Sequence, residues 1–251
     1  MSTEKGIGLV LRLVDFSETS RVVTLYTREY GKVGAMAKGG RRLRGPLAGA
    51  LDLLSVCRIV LIRKHSGSLD LLTEAELVKG FAPQRNNLQV LYAGYYFAEL
   101  LLELTQEDDP HPRLFEEAEG LLRDLETSSD QRLVVRRFEL VILRETGHLP
   151  IFDRCATCGG ELVSSQTTAF SATGGGLLCP GCSKSGSVNL RISPGSVKIL
   201  QVLARASGNQ WRRLQIQANV DREIGAVTRF AITFLTGRNL RTAQFLSGPN
   251  A

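Results

Sequence analysis

Two Cys-x-x-Cys pairs, Cys155-Ala156-Thr157-Cys158 and Cys179-Pro180-Gly181-Cys182, constrain this chain more than any other feature. Each turn brings two sulfurs close enough to grip one small ion. A hairpin that lays the second turn beside the first completes a tetrahedral thiolate site. Gly159 follows the first pair and Gly181 lies within the second, so the backbone can fold tightly and aim amide protons at the sulfurs. The expectation is one structural Zn²⁺ held by Cys155, Cys158, Cys179 and Cys182, because four protein ligands leave no open position for a substrate. Redox pairs or disulfides are the competing uses of this spacing. The fifth cysteine, Cys57, lies in an apolar run and reads as a buried free thiol. An odd cysteine count, metal-like spacing and no export signal point to a reducing cytoplasm. No run of about 18 apolar residues is present to span a bilayer.

Charge is partitioned along the chain. Residues 1–80 carry a balance of +5, residues 81–150 one of −6 and residues 151–251 one of +7. Between Ser20 and Lys64 there are ten basic residues against two acidic ones. Such an asymmetry suits a polyanion partner at the ends and a different task for the middle, although basic faces are often only solvated surface. The sharpest concentration is Ala37-Lys38-Gly39-Gly40-Arg41-Arg42-Leu43-Arg44-Gly45-Pro46. Glycine lets backbone approach a phosphate, and arginine supplies forked donors. Dense like charge repels itself unless a polyanion neutralises it. A solvated surface loop is the alternative. The cations assigned to nucleic-acid contact are Arg21, Lys32, Lys38, Arg41, Arg42, Arg44, Arg63 and Lys64.

Residues 1–80 read as about five short strands: Gly8–Val14, Ser20–Thr27, Val33–Ala37, Leu53–Lys64 and Asp70–Lys79. A closed five-stranded OB-fold barrel suits that count, with an SH3-like barrel as competitor. From Phe81 the apolar period becomes helical, giving one helix that ends before Asp108. A second runs through Leu114–Leu125, and a third is stopped by Gly147. The Tyr92-Tyr95-Tyr96-Phe97 group reads as helix core rather than a stacking platform. Beyond a ribbon at about 152–190, Ser193-Pro194 caps a further helix and Asp221 is expected to cap the last. Trp211 reads as a buried anchor beside Arg212 and Arg213. The architecture is thus α+β: an OB barrel (1–80), then an α-helical domain (81–251) with an inserted zinc ribbon.

Catalytic signatures are lacking. His65, His111 and His148 are scattered, and no nucleophile elbow, zincin, deaminase or Walker pattern occurs. The expectation is a binding protein rather than an enzyme. An OB and zinc module serving as accessory or adaptor to another nucleic-acid enzyme is the alternative, although the ligase motif Lys-x-Asp-Gly does not occur.

The chain also resembles the RecO family of bacterial recombination mediators over essentially its full length. The resemblance is carried by Gly6-Ile7-Gly8-Leu9-Val10-Leu11-Arg12, Ser17-Glu18-Thr19-Ser20-Arg21, Tyr30-Gly31-Lys32 and Ala37-Lys38-Gly39-Gly40-Arg41-Arg42. It continues through Leu71–Leu77, Tyr95–Leu100, Phe138-Glu139-Leu140, Gly147-His148-Leu149-Pro150 and Cys155–Gly159. It implies an OB domain, a helical domain with a cysteine ribbon and binding of single- and double-stranded DNA. Strand annealing, and work in the bacterial cytoplasm with RecR and the single-stranded DNA-binding protein, are implied as well. The acidic tail of that last partner is expected on the helical domain, with Arg132, Arg136 and Arg137 as its cations. The match weakens after Lys184.

Overall fold

A computed structural model describes residues 2–42, 44–64, 68–83, 87–162, 166–205 and 208–246. Packing divides the chain into two compact units. The first runs from the N-terminus to Thr127 and takes in Phe245, and the second spans Ser128–Gln244. The last barrel strand ends at Lys79 and the first helix begins at Leu88; the packing divides later, so the first two helices share a unit with the barrel.

Five strands form that barrel: β1 (Ser2–Asp15), β2 (Arg21–Thr27), β3 (Gly31–Ala37), β4 (Val56–Arg63) and β5 (Asp70–Lys79). Their order is β1-β2-β3-β5-β4, closed by antiparallel pairing of β4 with β1. The parallel β3–β5 pairing, with Ala35 opposite Asp70, gives the OB connectivity and separates it from the SH3-like alternative. Alternation drives the packing: Val33, Ala35 and Ala37 of β3 point inward between less buried neighbours. In β1 the register shifts between Val10 and Arg12, so a bulge at Leu11 lets four successive residues, Gly8–Leu11, be buried. Val10, Val23, Leu25, Ile59, Leu61 and Leu72 fill the interior together with the small Ala35 and Ala37.

The β3–β4 connection closes one end of the core with Leu47, Ala50 and Leu51. Strand β4 begins at Val56 rather than Leu53, because Leu54 takes a left-handed backbone (φ 63°) that turns the chain. The Leu54 amide donates to the Val10 carbonyl (2.8 Å), and the Val10 amide donates to that of Ser55 (3.0 Å), which holds the turn. Cys57 is buried as expected. It lies 3.0 Å from the Ala50 carbonyl, and burial pushes its thiol up to about 11.

Helices α1 (Leu88–Leu104) and α2 (Pro112–Thr127) complete this unit. Asn87 caps α1 by accepting from the Val90 amide. Gly94 lets α1 approach closely, since a Cβ there would lie 2.7 Å from Leu54 Cδ1 and 2.8 Å from the Phe81 ring. Tyr96 and Phe97 are core, and Tyr92 stacks on Phe245 with centroids 5.1 Å apart. Helix α2 buries Leu114, Phe115, Ala118, Leu121, Leu122 and Leu125 on one face.

Among its described residues the second unit contains α3 (Gln131–Glu145), a small antiparallel sheet, three further α-helices and a short 3-10 turn at Gln210–Arg213. The sheet is ordered β7 (Gly176–Leu178), β6 (Thr168–Ser171), β8 (Leu190–Ile192). The helices are α4 (Cys182–Ser185), α5 (Pro194–Leu203) and α6 (Ala218–Thr236). Ser193 and Pro194 open α5 as expected, with the serine hydroxyl accepting from the Ser196 amide. Asp221 does not cap α6. Gln217 occupies that position, and Asp221 lies one turn inside with its carboxylate committed to Arg136. Trp211 is buried, with the Arg212 guanidinium 4.7 Å from its ring centroid.

Candidate metal centre and nucleic-acid interface

The four ribbon cysteines converge. All four Sγ atoms lie within 4.8 Å of one another, and Cys158 Sγ is 3.8 Å from Cys179 Sγ. Four metal–sulfur bonds of about 2.3 Å in a tetrahedron place sulfurs about 3.8 Å apart. The first turn is pinned by the Cys155 amide donating to the Gly160 carbonyl (2.8 Å) and the Gly159 amide to that of Cys155 (2.9 Å). Gly159 has φ 72°, the left-handed region that glycine fills without strain. Gly181 needs no such freedom, for its φ of −66° is helical.

The electrostatics of the bare sulfurs also favour a cation. Burial raises the Cys155 thiol, but backbone hydrogen bonds from Cys158, Cys179 and Thr157 outweigh it and bring the thiol to about 6. Cys179 is lowered too, chiefly by the Cys182 backbone. Cys182 is pushed up to about 12 by its sulfur neighbours Cys179, Cys158 and Cys155. Four sulfurs this close cannot all carry charge unless a cation neutralises them. An all-thiolate donor set therefore fits a closed metal site.

The expected nucleic-acid residues separate into two groups. Lys38, Arg41, Arg42 and Arg44 are exposed on the β3–β4 connection. The Gly40 amide donates to the Ala37 carbonyl (3.2 Å) and the Arg42 amide to that of Gly39 (2.9 Å), a tight turn at the base of the basic segment. Arg41 ties this segment to the β1–β2 turn. Its amide donates to the Thr19 carbonyl (3.1 Å), its Nη1 to that of Ser17 (2.9 Å), and its Nε lies 3.5 Å from Asp15. Arg21 donates to the same Asp15 carboxylate at 2.8 Å. Between them lies an open groove lined by Phe16, Ser17, Thr19, Ser20, Met36, Lys38, Gly39 and Arg42. Phe16 is 67% exposed there. Sequence reading missed it, although an aromatic flanked by Asp15 and Ser17 at a strand end is the signal that identifies such a residue.

Lys32 and Arg63 are engaged elsewhere. Lys32 Nζ donates to the Leu102 and Thr105 carbonyls (2.7 and 2.6 Å), and burial lowers its ammonium, opposed by Glu107 and Glu103. Arg63 pairs with Asp70 (2.9 Å) and Asp108 and sits over the Tyr30 ring, 5.5 Å from its centroid. Lys64 is exposed, on a second groove it shares with Arg63, Glu4, Glu29 and Asp108. Three carboxylates make that groove a poorer host for phosphate.

The helical-domain arginines differ just as sharply. Arg132 is exposed, 3.7 Å from Asp130. Arg136 donates to Glu139 (3.0 Å) and to Asp221 (3.0 Å), and Thr228 Oγ1 donates to Glu139 as well (2.7 Å). Burial pulls the Arg136 guanidinium down, and the two carboxylates more than reverse it. Gly225 supplies the space, since a Cβ there would lie 2.5 Å from Arg136 Nη2. Arg137 is buried and donates from Nη1 to the Leu203 and Arg205 carbonyls (2.5 and 2.7 Å) at the end of α5. Two of the three arginines thus join α3 to α5 and α6, which leaves Arg132 as the exposed one. Among the other titratable groups, His111 pairs with Asp109 (3.1 Å) and His148 Nδ1 lies 3.3 Å from Thr146 Oγ1. His65 lies outside the described residues.

Two family models together match most of the chain. Residues 1–81 match the family model described as Recombination protein O N terminal, and residues 85–244 match Recombination protein O C terminal. The chain is 43% identical over 199 residues to a DNA repair protein RecO of Rhodopirellula baltica, covering 79% of this chain and 74% of that one. A DNA repair protein RecO of Anaeromyxobacter dehalogenans is 34% identical over 98% of this chain and 96% of its own. One of Dehalococcoides mccartyi is 26% identical over 96% and 94%.

Proposed function

The chain belongs to the RecO family of DNA repair proteins, and we propose that it serves there as a DNA-binding recombination mediator that performs no covalent chemistry. The observation that carries the proposal is the gathering of Arg21, Lys38, Arg41 and Arg42 around the β1–β2 turn, with Arg44 exposed on the same β3–β4 connection. OB folds bind oligonucleotides across strands 2 and 3 and their neighbouring loops. Cations on glycine-flanked turns meet phosphates without reading bases, so the contact is largely independent of sequence.

Strand annealing follows from the same charges. Two complementary strands repel through their phosphates, and a cationic surface that neutralises both lowers the cost of bringing them together. In this reading residues 1–80 hold single- or double-stranded DNA, and the helical region with its ribbon meets RecR and the single-stranded DNA-binding protein. Replacement of that protein by recombinase would then take place in the bacterial cytoplasm, at the nucleoid. No described helix is long and apolar enough to cross a membrane. In the ribbon, Cys155, Cys158, Cys179 and Cys182 would hold one Zn²⁺, which fixes two turns against the small sheet and leaves no position for a reactant.

Annealing of a fluorescently labelled complementary oligonucleotide pair across a salt series tests the proposal. The expected result is acceleration that fades as salt rises. An accessory or adaptor module without DNA affinity would leave the annealing rate at its spontaneous value at every salt concentration.

A further inference from the structure

The groove between the β1–β2 turn and the basic segment holds a feature that phosphate binding alone does not use. Phe16 is the most exposed of the large apolar side chains that stand open to solvent in the described chain, at 67%, and it lies at the very start of the β1–β2 turn. Its backbone is held firmly. The Phe16 and Ser17 amides both donate to the Ser20 carbonyl (3.0 and 3.2 Å), and the Ser20 amide donates to Ser17 Oγ (3.2 Å). Arg41 braces the turn from the other side through the Ser17 and Thr19 carbonyls. A short, braced turn therefore presents an aromatic ring to solvent instead of folding it into the core.

The surroundings indicate what the ring meets. The groove brings Phe16 together with Lys38 and Arg42, the hydroxyls of Ser17, Thr19 and Ser20, and the Met36 side chain. Among the described residues no carboxylate lines it, and nearby Asp15 is already shared by Arg21 and Arg41. A cationic rim beside an exposed aromatic matches a ligand that alternates anionic groups with flat apolar faces. We propose that Phe16 stacks on an unpaired base while Lys38 and Arg42 hold the flanking phosphates, which gives this groove a preference for single-stranded over duplex DNA. In a duplex both faces of each base are covered by neighbours, so the ring gains nothing; in a single strand the face is open. The inference rests on the DNA-binding reading above and adds the residue that senses strandedness.

The test uses the full-length protein and three probes: a labelled oligo-dT, a labelled abasic strand of the same length and a labelled blunt duplex. Phe16→Ala and Phe16→Leu are expected to weaken oligo-dT binding by roughly tenfold, the usual scale for losing one base–aromatic contact. Affinities for the abasic strand and the duplex should stay at wild-type values, and the salt slope on oligo-dT should not change, because no cation is lost. Phe16→Trp should keep oligo-dT affinity, with indole emission quenched on binding. The leucine variant preserves apolar bulk, so a folding defect confined to the alanine variant leaves the test intact. Wild-type-like oligo-dT affinity in both Phe16→Ala and Phe16→Leu overturns the stacking role while leaving the DNA reading standing. Equal losses on all three probes overturn it too, since the residue would then only support the turn. A wild-type protein that binds no probe overturns the DNA reading and this inference with it.

Discussion

Lys32 of β3 donates from its ammonium to the main-chain carbonyl of Thr105 at 2.6 Å, immediately beyond the last residue of α1. It also reaches the Leu102 carbonyl at 2.7 Å. The last carbonyls of a helix lack partners within it and carry the negative end of its dipole, and α1 has no basic residue in its own last turn. The barrel supplies the missing cation. Lys32→Met should therefore lower the stability of this unit by about 2 kcal/mol, the scale of hydrogen bonds to a charged group. DNA affinity of the folded variant should be nearly unchanged. Chemical unfolding and oligonucleotide titration of the same preparation check both halves.

Arg136 behaves as a buried ionic hub. Its side chain is 14% exposed and faces Glu139, 3% exposed, and Asp221, 12% exposed. Arg136→Ala leaves two carboxylates with reduced compensation in a desolvated place, and a loss of about 3–5 kcal/mol in urea unfolding is expected. A loss below about 1 kcal/mol is what a solvent-exposed pair would give, and it would contradict the hub.

Metal retention should depend on acid in a defined direction. A metal site takes thiolates, so protons compete with the ion, and the metal-free Cys182 thiol sits as high as about 12. Metal content per chain is expected near one at neutral pH and to fall as the pH is lowered, with protons released on reloading. Cys158→Ser should lose the ion at a higher pH than wild type does. Elemental analysis after dialysis across a pH series measures this.

Glu223 offers a second pH-dependent contribution. Its carboxylate accepts from the Ser193 amide and hydroxyl (both 2.7 Å) and from the Ser196 hydroxyl (2.5 Å). Burial raises this group, but the three hydrogen bonds outweigh it and hold the carboxyl below its ordinary value of 4.5. A depressed acid stabilises the fold above its unfolded value, and that stabilisation is lost as the pH falls through the lowered one. The Tm gap between wild type and Glu223→Gln should thus be present at neutral pH and shrink as the pH falls below 4.5 and through the lowered value.

Local patterns in the sequence carried the strands, the helices, the cysteine cluster and the exposed basic segment, because each is written as a short-range period or spacing, the cluster as two Cys-x-x-Cys pairs. Pairing across the fold was not readable in this way. The parallel β3–β5 contact and the bulge at Leu11 depend on how the sheet closes. Lys32 looks like any surface cation until Thr105, 73 residues away, is placed against it. Asp221 reads as a helix cap until Arg136, 85 residues distant, claims it. Arg63 and Arg137 follow the same logic, since a charge's partner is fixed by tertiary packing. Phe16 is a different case: an isolated aromatic ordinarily signals core, and its polar flanks, Asp15 and Ser17 at a strand end, were the one local sign that this ring stands outside.

Salt dependence of DNA binding by a Lys38→Ala, Arg42→Ala, Arg44→Ala variant tests the central claim most directly, with Arg41 kept because it braces the β1–β2 turn. The account predicts weaker binding by a similar factor on unrelated sequences, with the slope of log affinity against log salt reduced by roughly 2 to 3 for three lost phosphate contacts. Thermal stability should stay at the wild-type value, since these side chains stand in solvent. Unchanged affinity together with an unchanged salt slope would contradict it.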